Sequence, residues 1–347
     1  MKTPNRRQEH LTPPLLDIRD LRVELQLSRK TSAAVLDGVS LSVGQGQAVG
    51  IVGESGSGKS VLALSLLGLL PGAMKLTGGE ILYKERHPLH RLKEKNIRPF
   101  RGRDIAMIFQ DPLSSLNNGL TIGIQATEML RLHLGLSREE AEERAIALFR
   151  RVGLPRPEAL LKEYPHQLSG GMRQRIMIAI ALSCHPGLLI ADEPTTALDV
   201  TIQAQILDLL RQIREENDTA IMLVSHDLGV IADVCERIAV MYAGQIVEEG
   251  PTETLLSEPR HPYTIGLLQS IPTPSMKRQK LFSIPGTVPA LSERQTAGCL
   301  FASRCSYAES RCFAERPSLY ASSSRHAARC FLLEREGGIR HADAVGG

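Results

Sequence analysis

The octapeptide Gly53-Glu54-Ser55-Gly56-Ser57-Gly58-Lys59-Ser60 constrains this chain more than any other feature. It satisfies G-x-x-x-x-G-K-[ST], a loop whose glycines let successive backbone N–H groups converge on phosphate oxygens. Lys59 is then placed to reach the β and γ phosphates, and the Ser60 hydroxyl to ligate Mg²⁺. The apolar run Ala48–Val52 leads into the loop and a helical segment leaves it, so strand, loop and helix follow in the order that the motif needs. A glycine-rich turn without a ligand is the competing reading, and that order opposes it.

Composition bounds the rest. With 347 residues, 42% hydrophobic and 23% charged, the chain has the make-up of a globular protein with room for one large domain and an appendage. A net charge of +3 creates no strong field toward nucleic acid or a membrane surface. Eight Lys or Arg lie between Lys84 and Arg103, but only Phe100 interleaves them, so the run reads as a solvated loop and not a phosphate-binding patch. The most apolar stretch, residues 61–70, stops at Pro71-Gly72, short of the ~18 residues of a membrane span, and reads as a buried helix. No charged start, apolar run and small-residue site marks the N-terminus for secretion. The expected compartment is therefore reducing, with the six cysteines as thiols or metal ligands.

Leu21, Val23, Leu25 and Leu27 alternate with polar residues and residues 35–43 repeat the pattern, which predicts an antiparallel edge sheet at the front of the domain. Buried-type runs at 188–191, 220–224 and 238–242 alternate with helical segments, which predicts a parallel sheet and an α/β core. One helix begins at the capping box Ser137-Arg138-Glu139-Glu140 and carries Ala141, Ala145, Leu148 and Val152 on one face. Another carries Ile202, Ile206, Leu209, Leu210 and Ile213. At the carboxyl end of the 188–191 strand stand Asp192 and Glu193, where open α/β sheets bind ligands. Asp192 is expected to be the Mg²⁺-associated acid and Glu193 the general base for an attacking water, with a structural ion pair as the weaker reading.

Leu168-Ser169-Gly170-Gly171-Met172-Arg173-Gln174 opens a helix expected to reach about Ser183, so its serine hydroxyl and first amides face an anion from a positive helix end. Placed shortly before Asp192-Glu193, this segment resembles the signature sequence of the ABC ATPases. Phe109-Gln110-Asp111-Pro112 resembles their glutamine loop, Ala197-Leu198-Asp199 the loop after the acidic pair, and Ser225-His226-Asp227 the switch histidine, all in family order. The chain is most similar to the ATP-binding subunits of oligopeptide, dipeptide and nickel importers, through the signature, His261-Pro262-Tyr263-Thr264, the run from Ile284 to Pro289, and Gly298-Cys299.

The resemblance implies an ABC-type phosphate-loop ATPase core with a RecA-like parallel sheet, an antiparallel β subdomain, a helical signature subdomain at about 112–180 and a small C-terminal extension. The ATPase domain is expected at 14–257, the extension at 258–335, and disordered tails at 1–13 and 336–347. ATP would lie between two subunits, held by Gly53, Ser55, Gly56, Ser57, Gly58, Lys59, Ser60 and Asp192 of one and by Ser169, Gly170 and Gly171 of the other. Gln110 would sense Mg²⁺, with Ser60, and form part of a groove for a membrane subunit. His226 would contact the γ-phosphate and hold Glu193 and the water.

The implied partners are a second ATPase subunit in a heterodimer, two membrane permease subunits and, through the complex, an extracytoplasmic solute-binding protein, with no nucleic acid. The implied place is the cytoplasmic face of the inner membrane, as a peripheral protein. ATP hydrolysis would power import of di- and oligopeptides, with nickel or another small solute as runner-up. A soluble ABC ATPase acting on nucleic acid or ribosomes is opposed by the single ATPase unit and the lack of a long insertion.

Two features stand apart. Family members stack adenine on an aromatic after the first strand, whereas here no Phe, Tyr or Trp precedes Tyr83 and Leu25 takes that place. Cys299, Cys305, Cys312 and Cys330 cluster in the tail, with five, six and seventeen residues between them. Structural zinc favours closer pairs, and the spacing resembles the tail of peptide-importer ATPases that hold a four-iron, four-sulfur cluster; zinc and free thiols are the alternatives.

Overall fold

The computed structural model describes residues 13–111, 115–196, 199–271, 282–294, 297–323, 325–335 and 339–340. Its strands are β1 (Leu16–Gln26), β2 (Ser32–Val43), β3 (Ala48–Val52), β4 (Met74–Tyr83), β5 (His87–Pro88), β6 (Ile105–Ile108) and β7 (Leu188–Asp192). They continue as β8 (Ala220–Ser225), β9 (Arg237–Tyr242), β10 (Gln245–Pro251), β11 (Tyr320–Ser323), β12 (His326–Ala328) and β13 (Ile339–Arg340). An antiparallel sheet has the order β2-β1-β4-β5, and the remaining strands form a second sheet ordered β13-β11-β12-β10-β9-β3-β8-β7-β6.

At the centre of the larger sheet β9, β3, β8, β7 and β6 are parallel, and both faces are covered, which is why these strands are continuous apolar runs. Ala48 and Val52 face one core with Leu189, Ile221 and Val240, while Val49 and Ile51 face another with Ile190, Met222 and Met241. Helices Ile122–Leu134, Arg138–Arg151, Gly170–Leu182 and Val200–Asn217 close the first core through Leu130, Ala145, Ile178 and Leu210. Helix Lys59–Leu66 and the antiparallel sheet close the second through Leu62, Leu66, Val23, Leu41 and Ile81. With one face packed and one wet, β1 does alternate: Leu21 and Val23 are buried and Arg22 is exposed.

The capping box forms as its residues require. Glu140 N–H donates to Ser137 Oγ at 3.2 Å, and Ser137 N–H to Glu140 Oε2 at 2.8 Å. The buried helix expected over residues 61–70 is shorter, because it ends at Leu66 and Gly68 then takes φ 62°.

Past Pro251 the chain keeps building the same sheet. β12 pairs with β10 at Glu248↔Ala328 and Glu249↔Ala327, then β11 with β12 and β13 with β11. Tyr263, Ile284, Leu300 and Phe301 enter the first core. Periodicity fades here because short irregular pieces each add a side chain or two to a core that already exists. Residues 1–12, 336–338 and 341–347, most of the expected disordered tails, lie outside the described residues; Ile339–Arg340 departs from that expectation by pairing with β11.

Glu248 joins the two parts. It is fully buried, with Oε1 accepting from Arg260 N–H at 2.7 Å and lying 2.8 Å from His326 Nε2, and Oε2 accepting from His261 N–H at 2.8 Å. A buried carboxylate is tolerated only with such partners, and its removal orphans them. Glu248→Ala is therefore expected to lower the unfolding free energy by about 3 kcal/mol. Urea denaturation measures this, and a loss under about 1 kcal/mol, the size of an exposed pair, would show that the junction is held elsewhere.

Candidate active site

Four neighbouring strands deliver their carboxyl ends to one edge of the sheet. Ile108 of β6 pairs with Ala191 of β7, Asp192 with Val224 of β8, and Val52 of β3 with Ser225. The residues that follow are Gln110, Glu193, His226 and the loop from Gly53, so segments far apart in sequence become adjacent by register alone.

The loop opens helix Lys59–Leu66, whose N-cap Gly58 has φ 102°. Gly53 has φ 156°, and a Cβ there would sit 2.2 Å from the Met241 carbonyl oxygen. Lys59 is 6% exposed and folds back over its own loop, donating to the carbonyls of Gly53 at 2.7 Å and Glu54 at 3.1 Å. Burial pushes its ammonium below the ordinary lysine value, against the pull of Glu193, Asp192 and Glu54. A buried cation parked on carbonyls is ready to exchange them for phosphate oxygens.

The two carboxylates differ. Burial raises the Asp192 pKa, a hydrogen bond from Ser60 opposes that, and its Oδ1 is buried without a partner among the described residues. An orphaned carboxylate oxygen beside a serine hydroxyl suits a hard divalent cation. Glu193 takes the left-handed conformation, φ 48°, while its N–H donates to Val224 O at 2.9 Å. Its Oε2 accepts from Gln110 Nε2 at 3.1 Å and Thr196 Oγ1 at 2.9 Å, and its Oε1 lies 3.2 Å from His226 Nδ1. Burial would raise its pKa, but the Thr196 and His226 hydrogen bonds and the charges of His226 and Lys59 hold it below the usual glutamate value.

An open pocket is lined by the motif residues Ser55, Gly56, Gly58, Lys59, Ser60, Gln110 and Glu193. Its apolar lining comes from Val35, Val61, Val288, Pro289, Ala290 and Leu291, with Arg294 beside them. Leu25, expected to face the base, does not line this pocket; it pairs with Ala33 and Met74 farther along the antiparallel sheet. Beyond the family resemblance at Val288-Pro289, residues 288–294 carry no local pattern in the sequence that marks them as pocket lining. Ser57 is buried and its Oγ has no partner among the described residues.

Ser169, Gly170 and Gly171 are not brought to the pocket. Ser169 caps helix Gly170–Leu182, accepting from Met172 N–H at 3.3 Å, and Ser169 and Gly170 are exposed. Further along this helix, buried Gln174 donates to the Pro194 carbonyl at 2.6 Å, next to Glu193. Pro112, Ala197 and Leu198 of the matched loops lie outside the described residues.

Cys299, Cys305, Cys312 and Cys330 line one small pocket with His261 and Phe301. Burial pushes the Cys299 thiol up to about 11 and Cys330 to about 12, with the other thiols adding to both. The metal site expected from their spacing is nevertheless not closed: among the described residues no group of three or more His, Cys, Asp or Glu has metal-holding geometry. Cys299 and Cys312 are joined through backbone, N–H to O at 2.7 Å.

A glycine loop at a helix start, a buried lysine, and two consecutive carboxylates at the carboxyl end of one strand of a parallel sheet define an ATPase of the phosphate-loop class. The profile of the ABC transporter family matches residues 36–196, and that of the oligopeptide/dipeptide transporter C-terminal region matches residues 247–312. The chain belongs to the ABC transporter family. It is 47% identical over 324 residues to the oligopeptide transport ATP-binding protein AppD of Bacillus subtilis, covering 93% of this chain and 98% of that one. To the dipeptide transport ATP-binding protein DppD of Haemophilus influenzae it is 47% identical over 313 residues, covering 90% and 93%. Among solved structures it resembles the ATP-binding cassette MJ0796, a post-hydrolysis dimer bound to ADP and Pi, with TM-score 0.62, 28% identity and coverage of 68% of this chain and 98% of that one.

The loop geometry leaves no room for a side chain at Gly53. Gly53→Ala should therefore raise the MgATP dissociation constant at least about tenfold, a change of about 1.4 kcal/mol in binding. Titration with a fluorescent ATP analogue measures it, and an unchanged value would show that the loop does not hold phosphate in this shape.

Proposed function

We propose that this chain is the ATP-hydrolysing subunit of a peptide importer, working at the cytoplasmic face of the membrane. The carrying observation is the Glu193 carboxylate, pinned by Gln110, Thr196 and His226 at the rim of the phosphate-loop pocket. Ionised, it can accept a proton from water, while Gln110 and His226 fix its direction. Lys59 would neutralise the β and γ phosphates, Ser55, Gly56, Ser57 and Gly58 would cradle them, and Ser60, Asp192 and Gln110 would hold Mg²⁺. Bound Mg²⁺ supplies positive charge against the charge that develops on the transferred phosphoryl group.

The exposure of Ser169 and Gly170, away from the chain's own pocket, supports a sandwich in which the signature serves a nucleotide held by a second ATPase subunit. A heterodimer is the preferred arrangement. No helix among the described residues is long and apolar enough to cross a membrane, so permease subunits are needed to carry solute. An open groove where Ile124, Leu132 and Leu161 stand among charged residues such as Glu128, Arg131 and Glu142 would be their docking place, with Ile124 and Leu132 exposed. Residues 14–257 are taken as the ATPase domain and 258–335 as the extension. Peptide is preferred to nickel because the relatives' own names specify oligopeptide, dipeptide or peptide.

Glu193→Gln in the assembled transporter should cut steady-state hydrolysis at least about 100-fold, the usual minimum for removing a general base. MgATP binding should stay within about threefold of wild type, since the cradle is untouched. Hydrolysis near the wild-type rate would remove Glu193 from the role.

That all four tail cysteines line one pocket favours an iron–sulfur cluster there, with zinc or free thiols as the alternatives, and binding would have to draw the sulfurs into a metal-holding arrangement that the structure does not have among its described residues. Its role would be to fix a region of short elements. Protein purified without oxygen should be brown and contain iron and acid-labile sulfide, both lost in Cys305→Ser or Cys312→Ser. Colourless, metal-free protein from iron-replete cells would overturn the cluster, and stoichiometric zinc would replace it.

A further inference from the structure

Besides the motif residues, the pocket is lined by residues of the C-terminal region. Val288, Pro289, Ala290 and Leu291 stand there with Val35, and the pocket has no aromatic among its lining residues. Arg294 ties this segment down. Its Nη1 donates to the carbonyls of Ala34 at 3.1 Å, Val35 at 3.3 Å and Ala243 at 3.0 Å, and its Nη2 to the carbonyl of Gly56 at 2.9 Å. One planar guanidinium thus bolts together the phosphate loop, β2 and the turn after β9, a task for which the rigid fork of arginine suits better than lysine. Both terminal nitrogens donate to backbone carbonyls of three separate segments, so Arg294 acts here as a positioning residue.

We propose that Val35, Val288, Ala290 and Leu291 form the nucleoside wall of the ATP site, held in register with the phosphate loop by Arg294. The inference rests on the reading of this pocket as an ATP site. A nucleoside triphosphate has two parts that match the two kinds of lining: charged phosphates, and a flat apolar base. Once its phosphates reach Lys59, the base meets the wall built by residues 288–291. Apolar contact reads the shape of a purine and not its hydrogen-bonding edge, so ATP and GTP are expected to be separated by less than about tenfold. The missing aromatic of the first strand is then replaced from the far end of the chain.

The test compares MgATP with inorganic triphosphate, which has the charges and no nucleoside, by competition against a fluorescent ATP analogue on the full chain. Leu291→Asp and Ala290→Asp, at positions reached by solvent, should raise the MgATP dissociation constant about tenfold and leave that of inorganic triphosphate within about twofold. Ala290→Trp should tighten MgATP alone, by supplying a stacking ring. Arg294→Ala should weaken MgATP, and Arg294→Lys should restore it only in part. Unchanged MgATP binding in both aspartate variants, or equal losses for the two ligands, would overturn the wall. Lys59→Ala should lose both ligands; wild-type protein that binds neither would instead sink the ATP-site reading itself.

Discussion

Backbone amides can be aimed at an open space only if something else holds their loop in a shape it would not keep alone, and this chain is organised around that hold. Gly53 is pressed against the Met241 carbonyl, and the Ser57 carbonyl accepts from Gly244 N–H at 2.8 Å. Glu54 is gripped twice: its N–H donates to Tyr263 Oη at 2.8 Å, and its carboxylate takes both terminal nitrogens of Arg304 at 2.6 and 3.0 Å. Arg304 is itself buried, with its guanidinium 5.7 Å from the Tyr242 ring and 5.9 Å from Phe301. Bidentate charged hydrogen bonds of this kind are strong and directional. Tyr263, Arg294 and Arg304 all lie past Pro251, so the loop is braced from behind by the C-terminal region.

The same compactness sorts the acids. Asp192 and Glu193 are adjacent in sequence, yet one is pushed toward the neutral form by burial and the other held ionised by the hydroxyl and imidazole that surround it. Environments that drive neighbouring carboxylates apart are how one site obtains two roles. The left-handed turn at Glu193 separates them: Asp192 ends a buried strand, and Glu193 already belongs to the open rim.

What could be read from the sequence was what is local. The phosphate loop, the acid pair and the signature are contiguous, and the strands that carry them are apolar runs with sharp ends, so their positions followed from pattern and spacing. Contacts across hundreds of residues left no such trace. Arg294 meets the loop 238 positions away, and nothing about an arginine in a proline-rich stretch announces four carbonyl partners. Leu25 was placed by order along the chain, but a hairpin's register decides what a strand residue faces, and here it puts Leu25 opposite Ala33 and Met74. For the cysteines, spacing spoke to convergence and was silent on where each sulfur points.

The pairing of β12 with β10 has one more consequence. Without residues 320–328, β10 would be the last strand of a long twisted sheet, its backbone donors and acceptors at Glu248 and Glu249 facing outward and the Glu248 side chain stripped of His326. An unprotected strand of that kind invites another chain to add itself, the first step toward fibrous or amorphous precipitate. The short β11–β12 hairpin covers β10 instead and leaves the two-residue β13 at the edge, so the same tail that braces the phosphate loop also blunts the end of the sheet.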